Sequence, residues 1–209
     1  MRTRSAKDTG LNRPRRNLLK AAAAGMFAGM AAPLLQPLHL AHAAEGSLHG
    51  KKALIVFYSR SGNTRALARQ LQTLTRGELV ELETVQPYPE EYRALTEQAR
   101  RELASGFKPP LKTKINNIQA YDVIFVGSPN WWGTVAAPVR AFLSEYDLSG
   151  KTVAPFITHE GSALGRSMAD IRTLCPQSTV VEGLAVRGSR AASARAETVA
   201  WLRKIGMKE

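Results

Sequence analysis

A continuous apolar run at residues 53–57 limits the folds open to this chain more than any other stretch of its sequence. A run in which apolar and polar residues do not alternate is typical of a parallel strand that is buried on both faces. Leucines at positions 67, 71 and 74 then indicate a helix that packs back onto this strand. The connection between strand and helix therefore lies at a helix N-terminus, where free backbone N–H groups and the helix dipole favour an anion.

The rest of residues 44–209 repeats this alternation of strand and helix. Four further strands are predicted at 78–83, 121–127, 153–157 and 179–186, and the remaining helical patterns lie at 92–103, 135–146, 164–175 and 192–205. Strands that alternate with helices pair in parallel through right-handed crossovers. The sequence thus predicts one α/β domain, a three-layer α/β/α sandwich around a five-stranded parallel sheet. Pro155 lacks the N–H that a central strand uses, so we expect its pairing to be interrupted.

The first connection, between the strand at 53–57 and its helix, is rich in hydroxyl groups. Its residues are Ser59, Arg60, Ser61, Gly62, Asn63 and Thr64. It has no lysine after a glycine pair and no Gly-x-Gly-x-x-Gly pattern, which excludes the common nucleoside triphosphate and dinucleotide loops. It resembles the phosphate loop of the flavodoxin family, [ST]-x-[ST]-G-x-T, in which hydroxyls and amides hold the phosphate of FMN. The alternative is a helix N-cap in an unrelated turn.

Two more polar connections follow the strands at 121–127 and 153–157. The first contains Pro129, Asn130, Trp131, Trp132 and Gly133, and the second contains Thr158, His159, Glu160 and Gly161. Two adjacent tryptophans in a loop are costly to leave in water, and a flat aromatic ligand would give one of them a stacking partner. The alternative is that both pack on the neighbouring helix. His159 is equally consistent with a ligand contact and with a solvated loop histidine.

Taken together, the three connections resemble those of short-chain flavodoxin-like proteins over residues 51–205. The resemblance implies the strand order 2-1-3-4-5, with FMN at the carboxyl ends of strands 1, 3 and 4. It implies that residues 59–64 hold the phosphate, that residues 129–133 cover the ring, and that residues 158–161 line its edge. The flavin would carry the redox chemistry, so no residue need act as an acid, base or nucleophile.

Two other features bear on the domain. The stretch 106–120 is its longest irregular part, and it is predicted to be a surface connection that could close over the ligand. Cys175 is the only cysteine and continues the apolar stripe of the helix at 164–175, so we expect a buried thiol without a disulfide. The four histidines do not form a pattern that predicts a metal site.

Residues 1–43 resemble a twin-arginine export signal. Arg15 and Arg16 precede an apolar stretch at 21–35, and residues 41–43 read Ala-His-Ala, a small-x-small cleavage pattern. A transmembrane helix is the alternative, but this stretch is shorter than the roughly 20 residues that a membrane span needs. We expect cleavage after Ala43, a mature domain at 44–209 in the periplasm, and no stable membrane anchor.

The net charge of +12 divides equally between the signal and the domain. Residues 1–43 carry seven Lys or Arg and one Asp, which leaves a net charge of +6 for residues 44–209. These charges do not form a basic block, so nucleic acid is not an expected partner. Flavodoxins are strongly acidic, so the resemblance does not extend to the charge or to the usual partners.

The combined expectation is an FMN-binding electron-transfer protein of the bacterial cell envelope. One alternative is an FMN-dependent NAD(P)H:quinone-type reductase, which would need space above the flavin for a second substrate. The other is a docking module that keeps the fold and holds no flavin. The sequence leaves open which redox partner protein is used, which oligomer forms and whether the protein is an enzyme.

Overall fold

Seven strands and five α-helices make up residues 50–207, the part of the chain that the computed structural model describes. The strands are Ala53–Phe57 (β1), Glu78–Glu81 (β2), Val123–Trp131 (β3), Thr134–Val135 (β4), Thr152–His159 (β5), Thr179–Val180 (β6) and Leu184–Arg187 (β7). The helices are Asn63–Thr75 (α1), Tyr92–Ser105 (α2), Ala137–Glu145 (α3), Ser167–Leu174 (α4) and Arg195–Lys204 (α5). Short 3₁₀ helices lie at Ile118–Ala120 and Gly188–Ser193. The expected signal at 1–43 lies outside the described residues.

A parallel sheet with the strand order β2-β1-β3-β5-β6 forms the centre of the domain. β7 pairs with β5 on the same side as β6, further along the strand. The predicted fourth strand is β5, and the predicted fifth strand corresponds to β6 and β7. The expected α/β fold with strand order 2-1-3-4-5 is therefore confirmed.

An apolar core lies on each face of the sheet, because β1 and the first half of β3 are apolar at every position. Leu54, Ile55 and Val56 are fully buried. Ile55 packs in the core formed with α1 and α5, whereas Leu54 and Val56 pack in the core formed with α3 and α4. Cys175 is buried in this second core, as expected, and its burial raises the pKa of the thiol from 9.0 to about 11. Within the described residues, no helix is both long and apolar enough to cross a membrane.

The interruption expected at Pro155 occurs on one side of β5 only. Pairing with β3 runs through Pro155 without a break. On the other side, the pairing with β6 ends at Val153 and the pairing with β7 begins at Phe156. The carbonyl of Val153 accepts from the N–H of Val181, so the missing N–H of Pro155, two residues further on, also falls on this side. The single last strand that the sequence predicts is therefore two short strands.

β3 is longer than the sequence predicts. The expected loop at 127–133 is mostly strand, because β3 continues to Trp131 and pairs antiparallel with β4. The two residues of the turn, Trp132 and Gly133, have φ values of +53° and +84°, as a tight type I′ hairpin turn requires. Val135, predicted as part of the following helix, lies in β4, and α3 begins at Ala137.

Candidate functional site

The carboxyl ends of β1, β3 and β5 meet at one cavity of about 790 Å³. All three predicted loops line it, through Arg60, Ser61, Asn63, Pro129, Asn130, Trp131, Trp132, Thr158, His159, Glu160 and Gly161. Four other predicted residues lie in the same segments without lining the cavity: Ser59, Gly62, Thr64 and Gly133. The loops converge because neighbouring parallel strands end at the same edge of the sheet.

The loop between β1 and α1 presents free backbone N–H groups at the start of α1. Gly62 precedes the helix with φ +88°, a left-handed conformation that glycine adopts without strain. Within residues 50–207, no hydrogen-bond acceptor meets the N–H groups of residues 61–64. Ser59 Oγ accepts from the N–H of Arg65 at 3.2 Å and so holds the loop closed. Free N–H groups at the positive end of a helix make this end of the cavity an anion site.

The two arginines next to this loop differ in their partners. Arg65 makes a two-bond ion pair with Glu81, at 2.7 and 2.6 Å, and this hydrogen bond raises the pKa of Arg65. Arg60 donates to the backbone carbonyl of Glu90 at 2.6 Å, and its guanidinium lies 5.7 Å from the ring centre of Tyr92. Arg65 therefore anchors the loop to β2, whereas Arg60 remains part of the cavity wall.

Trp131 is held in an aromatic cluster. Its ring centre lies 5.5 Å from that of Tyr58 and 5.1 Å from that of Tyr88, both in edge-to-face geometry. Tyr88 donates to the buried carboxylate of Glu102 at 2.6 Å, which fixes the cluster to α2. Burial raises the pKa of Tyr58 to about 12. Trp131 is thus a packed wall of the cavity.

Trp132 is the more accessible of the two tryptophans. Its relative exposure is 53%, and its left-handed backbone is a strained conformation of the kind that often occurs in functional loops. The indole N–H donates to the carbonyl of Thr96 in α2 at 3.0 Å, which fixes the orientation of the ring. Trp132 therefore offers an oriented, exposed aromatic surface beside the cavity.

Asn130 ties the Trp132 turn to the segment after β5. Its side chain accepts from the N–H of Gly133 at 3.0 Å and donates to the carbonyl of Ala163 at 2.9 Å. Ala163 also has a left-handed backbone, with φ +48°. Asn130 therefore acts as a positioning residue, because it connects two strained segments.

The third loop is also fixed by hydrogen bonds to other elements. Nδ1 of His159 accepts from the N–H of Gly161 at 3.0 Å, so this imidazole caps its own turn while it lines the cavity. The guanidinium of Arg187 donates to the carbonyl of Glu160 at 3.0 Å. Both bonds hold the turn at the end of β5 in one conformation.

The third loop is joined to the first by one buried hydrogen bond, between the hydroxyls of Thr64 and Thr158 at 2.8 Å. We expect Thr64→Val to destabilise the domain by about 1–3 kcal/mol, because it leaves the partner hydroxyl buried without a bond. Thr158→Val should cost a similar amount. Urea unfolding of both single variants and of the double variant measures the coupling, and the double variant should cost less than the sum. Strict additivity would show that the two hydroxyls do not interact.

Helix α2 forms a wall of the cavity that the sequence does not predict. It contributes Tyr92, Leu95, Thr96 and Ala99. The helical pattern places Tyr92 in the apolar stripe, but this residue is 69% exposed, whereas Leu95 and Ala99 are buried. The available signal was the residue type, since tyrosine is often only partly buried.

The stretch 106–120 does not close over the cavity, and none of its residues lines the cavity. It packs instead against the chain that follows β2. Leu111 forms a bridge with Thr84, and the N–H of Lys112 donates to the carbonyl of Glu83 at 2.8 Å. The expectation of a cover from this stretch is wrong, because these hydrogen bonds fix it to a different edge of the domain.

The cavity suits a phosphate-bearing molecule with a flat aromatic ring. Free N–H groups lie at one end, and indole and phenol rings form the walls. Across the described part of the chain, no group of three or more His, Cys, Asp or Glu could hold a metal ion. The fold and the site thus define an α/β protein that binds an aromatic phosphate ester at the ends of three parallel strands.

A model of the Flavodoxin family matches residues 52–205, so the chain belongs to the flavodoxin family. A flavoprotein from Lactobacillus acidophilus NCFM, solved in complex with FMN, is 25% identical over 70% of this chain and 99% of its own, with a TM-score of 0.59. A candidate flavoprotein from Bacteroides eggerthii DSM 20697 is 28% identical over 76% of this chain and 99% of its own, with a TM-score of 0.64. No match was found among curated proteins.

Proposed function

We propose that this chain is an FMN-binding electron-transfer protein of the bacterial cell envelope. The observation that carries the proposal is the convergence of three loops on one cavity, with free N–H groups at one end and Trp131 and Trp132 in the wall. Membership of the flavodoxin family and the FMN held by the Lactobacillus relative support it.

Different residues of the cavity bind different parts of FMN. The N–H groups of residues 61–64 and the hydroxyl of Ser61 hold the phosphate, and the exposed face of Trp132 covers the ring. When bound, FMN supplies the group that takes up and releases electrons. Hydrogen bonds of Asn130 and Thr158 connect the three loops, so the chain orients the ring and shields it from water.

The test is uptake of FMN by the purified domain, residues 44–209. After incubation with FMN and removal of free flavin, the protein should retain close to one flavin per chain. Riboflavin, which has the same ring and no phosphate, should bind far more weakly because it leaves the anion site unused. A protein that retains no FMN would contradict the proposal and favour the docking module.

Electron transfer is tested separately from binding. The FMN complex is reduced stepwise without oxygen, and the electrons taken up in each step are counted from the absorbance. Two resolved one-electron steps support a carrier. Oxidation of NADH or NADPH by the complex in the presence of a soluble quinone would show the reductase instead.

Export is proposed from the arginine pair, the apolar stretch at 21–35 and the cleavage pattern at 41–43. We expect Arg15→Lys combined with Arg16→Lys to leave uncleaved precursor in the cytoplasm of a bacterial host, because the twin-arginine route requires guanidinium groups that lysine cannot replace. Cell fractionation and immunoblotting give the readout. Arg2→Lys combined with Arg4→Lys keeps the same charge and should be exported normally. Unchanged export of the first variant would point to another route.

A further inference from the structure

Three exposed arginines from different parts of the domain lie around the cavity. Arg60 lines it, Arg100 lies 5.9 Å from the ring centre of Trp132, and Arg187 is bonded to the backbone of Glu160. In the described range 50–207, none of the three makes an ion pair with a carboxylate, so no direct contact neutralises their charges. We call these three residues the arginine rim.

Each member of the arginine rim is held in place by a neutral group. Arg60 and Arg187 donate to backbone carbonyls, and the guanidinium groups of Arg60 and Arg100 lie over aromatic rings. These contacts fix the side chains without cancelling their charge. These arginine side chains therefore lose less conformational entropy when a partner binds than freely rotating side chains would.

The arginine rim also contains exposed aromatic surface. Tyr92 is 69% exposed and Trp132 is 53% exposed. Arginine, tyrosine and tryptophan are the residues that dominate the centres of protein interfaces. Of the described residues that line the cavity, Glu160 alone carries a carboxylate, so the three arginines outnumber the acidic side chains of the lining.

We propose that the arginine rim is a docking surface for the acidic face of a redox partner protein. This inference rests on the proposed function, in which electrons enter or leave through the flavin held in this cavity. Carboxylates around the partner's own cofactor would meet the arginines, which steers the two redox centres together. A protein fits better than a membrane, because the arginines surround a concave mouth and a bilayer presents a flat face.

The test uses two variants with the same change in net charge. Arg100→Gln with Arg187→Gln removes two members of the arginine rim that do not line the cavity. Because Arg187 also bonds the third loop, FMN uptake by this variant is checked beforehand, and it should match that of the parent chain. Arg172→Gln with Arg203→Gln removes two exposed arginines near the C-terminal ends of α4 and α5, at the opposite edge of the sheet. Any effect of overall charge appears in both variants, whereas an effect of the rim appears only in the first.

The first measurement needs no flavin. A fluorescent peptide of sixteen glutamates, about the charge of a small acidic face, is titrated with each protein at low ionic strength, and binding is followed by anisotropy. We expect the rim variant to weaken binding at least about fivefold relative to the control variant. Equal weakening in both variants, or no binding of the peptide to the parent chain, would overturn the docking proposal. Equally arginine-dependent binding to phosphatidylglycerol vesicles would assign the surface to a membrane instead.

The second measurement uses the reduced FMN complex. Its oxidation by the anion ferricyanide should slow at least about threefold in the rim variant and not in the control, and the difference should vanish at high salt. Oxidation by the cation hexaamminecobalt should not slow. Peptide binding without FMN uptake would leave the docking surface intact and reject the proposed function. FMN uptake without peptide binding would support the proposed function and reject the docking surface.

Discussion

Replacement of Ser61 by aspartate is expected to weaken FMN binding by about 2–3 kcal/mol, or roughly 30- to 150-fold. Ser61 is exposed, lines the cavity and lies among the free N–H groups of residues 61–64. A carboxylate at this position accepts hydrogen bonds from those N–H groups and repels the doubly charged phosphate. The same carboxylate interacts favourably with the dipole of α1, so the flavin-free domain should remain folded.

Titration with both FMN and riboflavin isolates the role of the phosphate. Ser61→Asp should affect FMN much more than riboflavin, because only FMN carries the charge that the carboxylate repels. Ser61→Ala, which removes one hydroxyl donor, should cost about 1 kcal/mol. Ser162→Asp adds the same charge to the third loop and should have the smaller effect on FMN. Equal losses of FMN and riboflavin affinity with Ser61→Asp would place the phosphate elsewhere.

The parallel pairing of the sheet was predictable because its central runs are apolar without alternation, whereas the strand order was implied by the resemblance to flavodoxins. In β1 and in the first half of β3, every side chain meets a helix layer on one face or the other, and the sequence records this as a continuous run. The helices between the runs leave parallel pairing as the one simple arrangement. The phosphate loop was predictable for a related reason, since its position follows directly from the end of β1.

The hairpin at the second loop was not predictable from its residues. A tight turn with two positive φ values normally contains Asn-Gly, because few other residues tolerate the first position. Here Trp132 occupies that position, and the hydrogen bonds of its indole to α2 and of Asn130 to Gly133 stabilise the strained backbone. Thr96 is distant in the sequence, and the rules for tight turns do not consider the side chain of Asn130. The sequence therefore suggested a loop where two strands pair.

The wall formed by α2 could not be read from the sequence for a different reason. The apolar stripe with Leu95 and Ala99 shows that one face of the helix is buried, but a periodic pattern does not say what covers it. The same limit applies to Arg65. Arg65 follows the phosphate loop directly in the sequence, but its partner, Glu81, lies on the adjacent strand β2.

The second large effect is expected from Gly165→Ala. Gly165 has φ +51°, and a methyl group there would lie 3.0 Å from the carbonyl carbon of Gly133 and closer still to its oxygen. The neighbouring N–H of Arg166 donates to that same carbonyl at 2.8 Å, so the two segments cannot separate without loss of this bond. We expect the free energy of unfolding of the flavin-free domain to fall by about 3 kcal/mol, because the left-handed strain and the clash with rigid backbone both destabilise it.

Gly150→Ala is the matched control, because it separates the strain from the clash. Gly150 has φ +74°, and a methyl group there would meet nothing within 4 Å, so only about 1 kcal/mol of left-handed strain is expected. Urea unfolding measures the loss of stability in each variant, and FMN titration then shows whether the larger loss also affects the flavin site. Because Gly133 follows Trp132 directly, Gly165→Ala should also weaken FMN binding about tenfold or more, while Gly150→Ala leaves it unchanged. Equal losses of stability in the two variants would mean that the contact between Gly165 and Gly133 does not hold the turn, and the ring of Trp132 would then be positioned by α2 and Asn130.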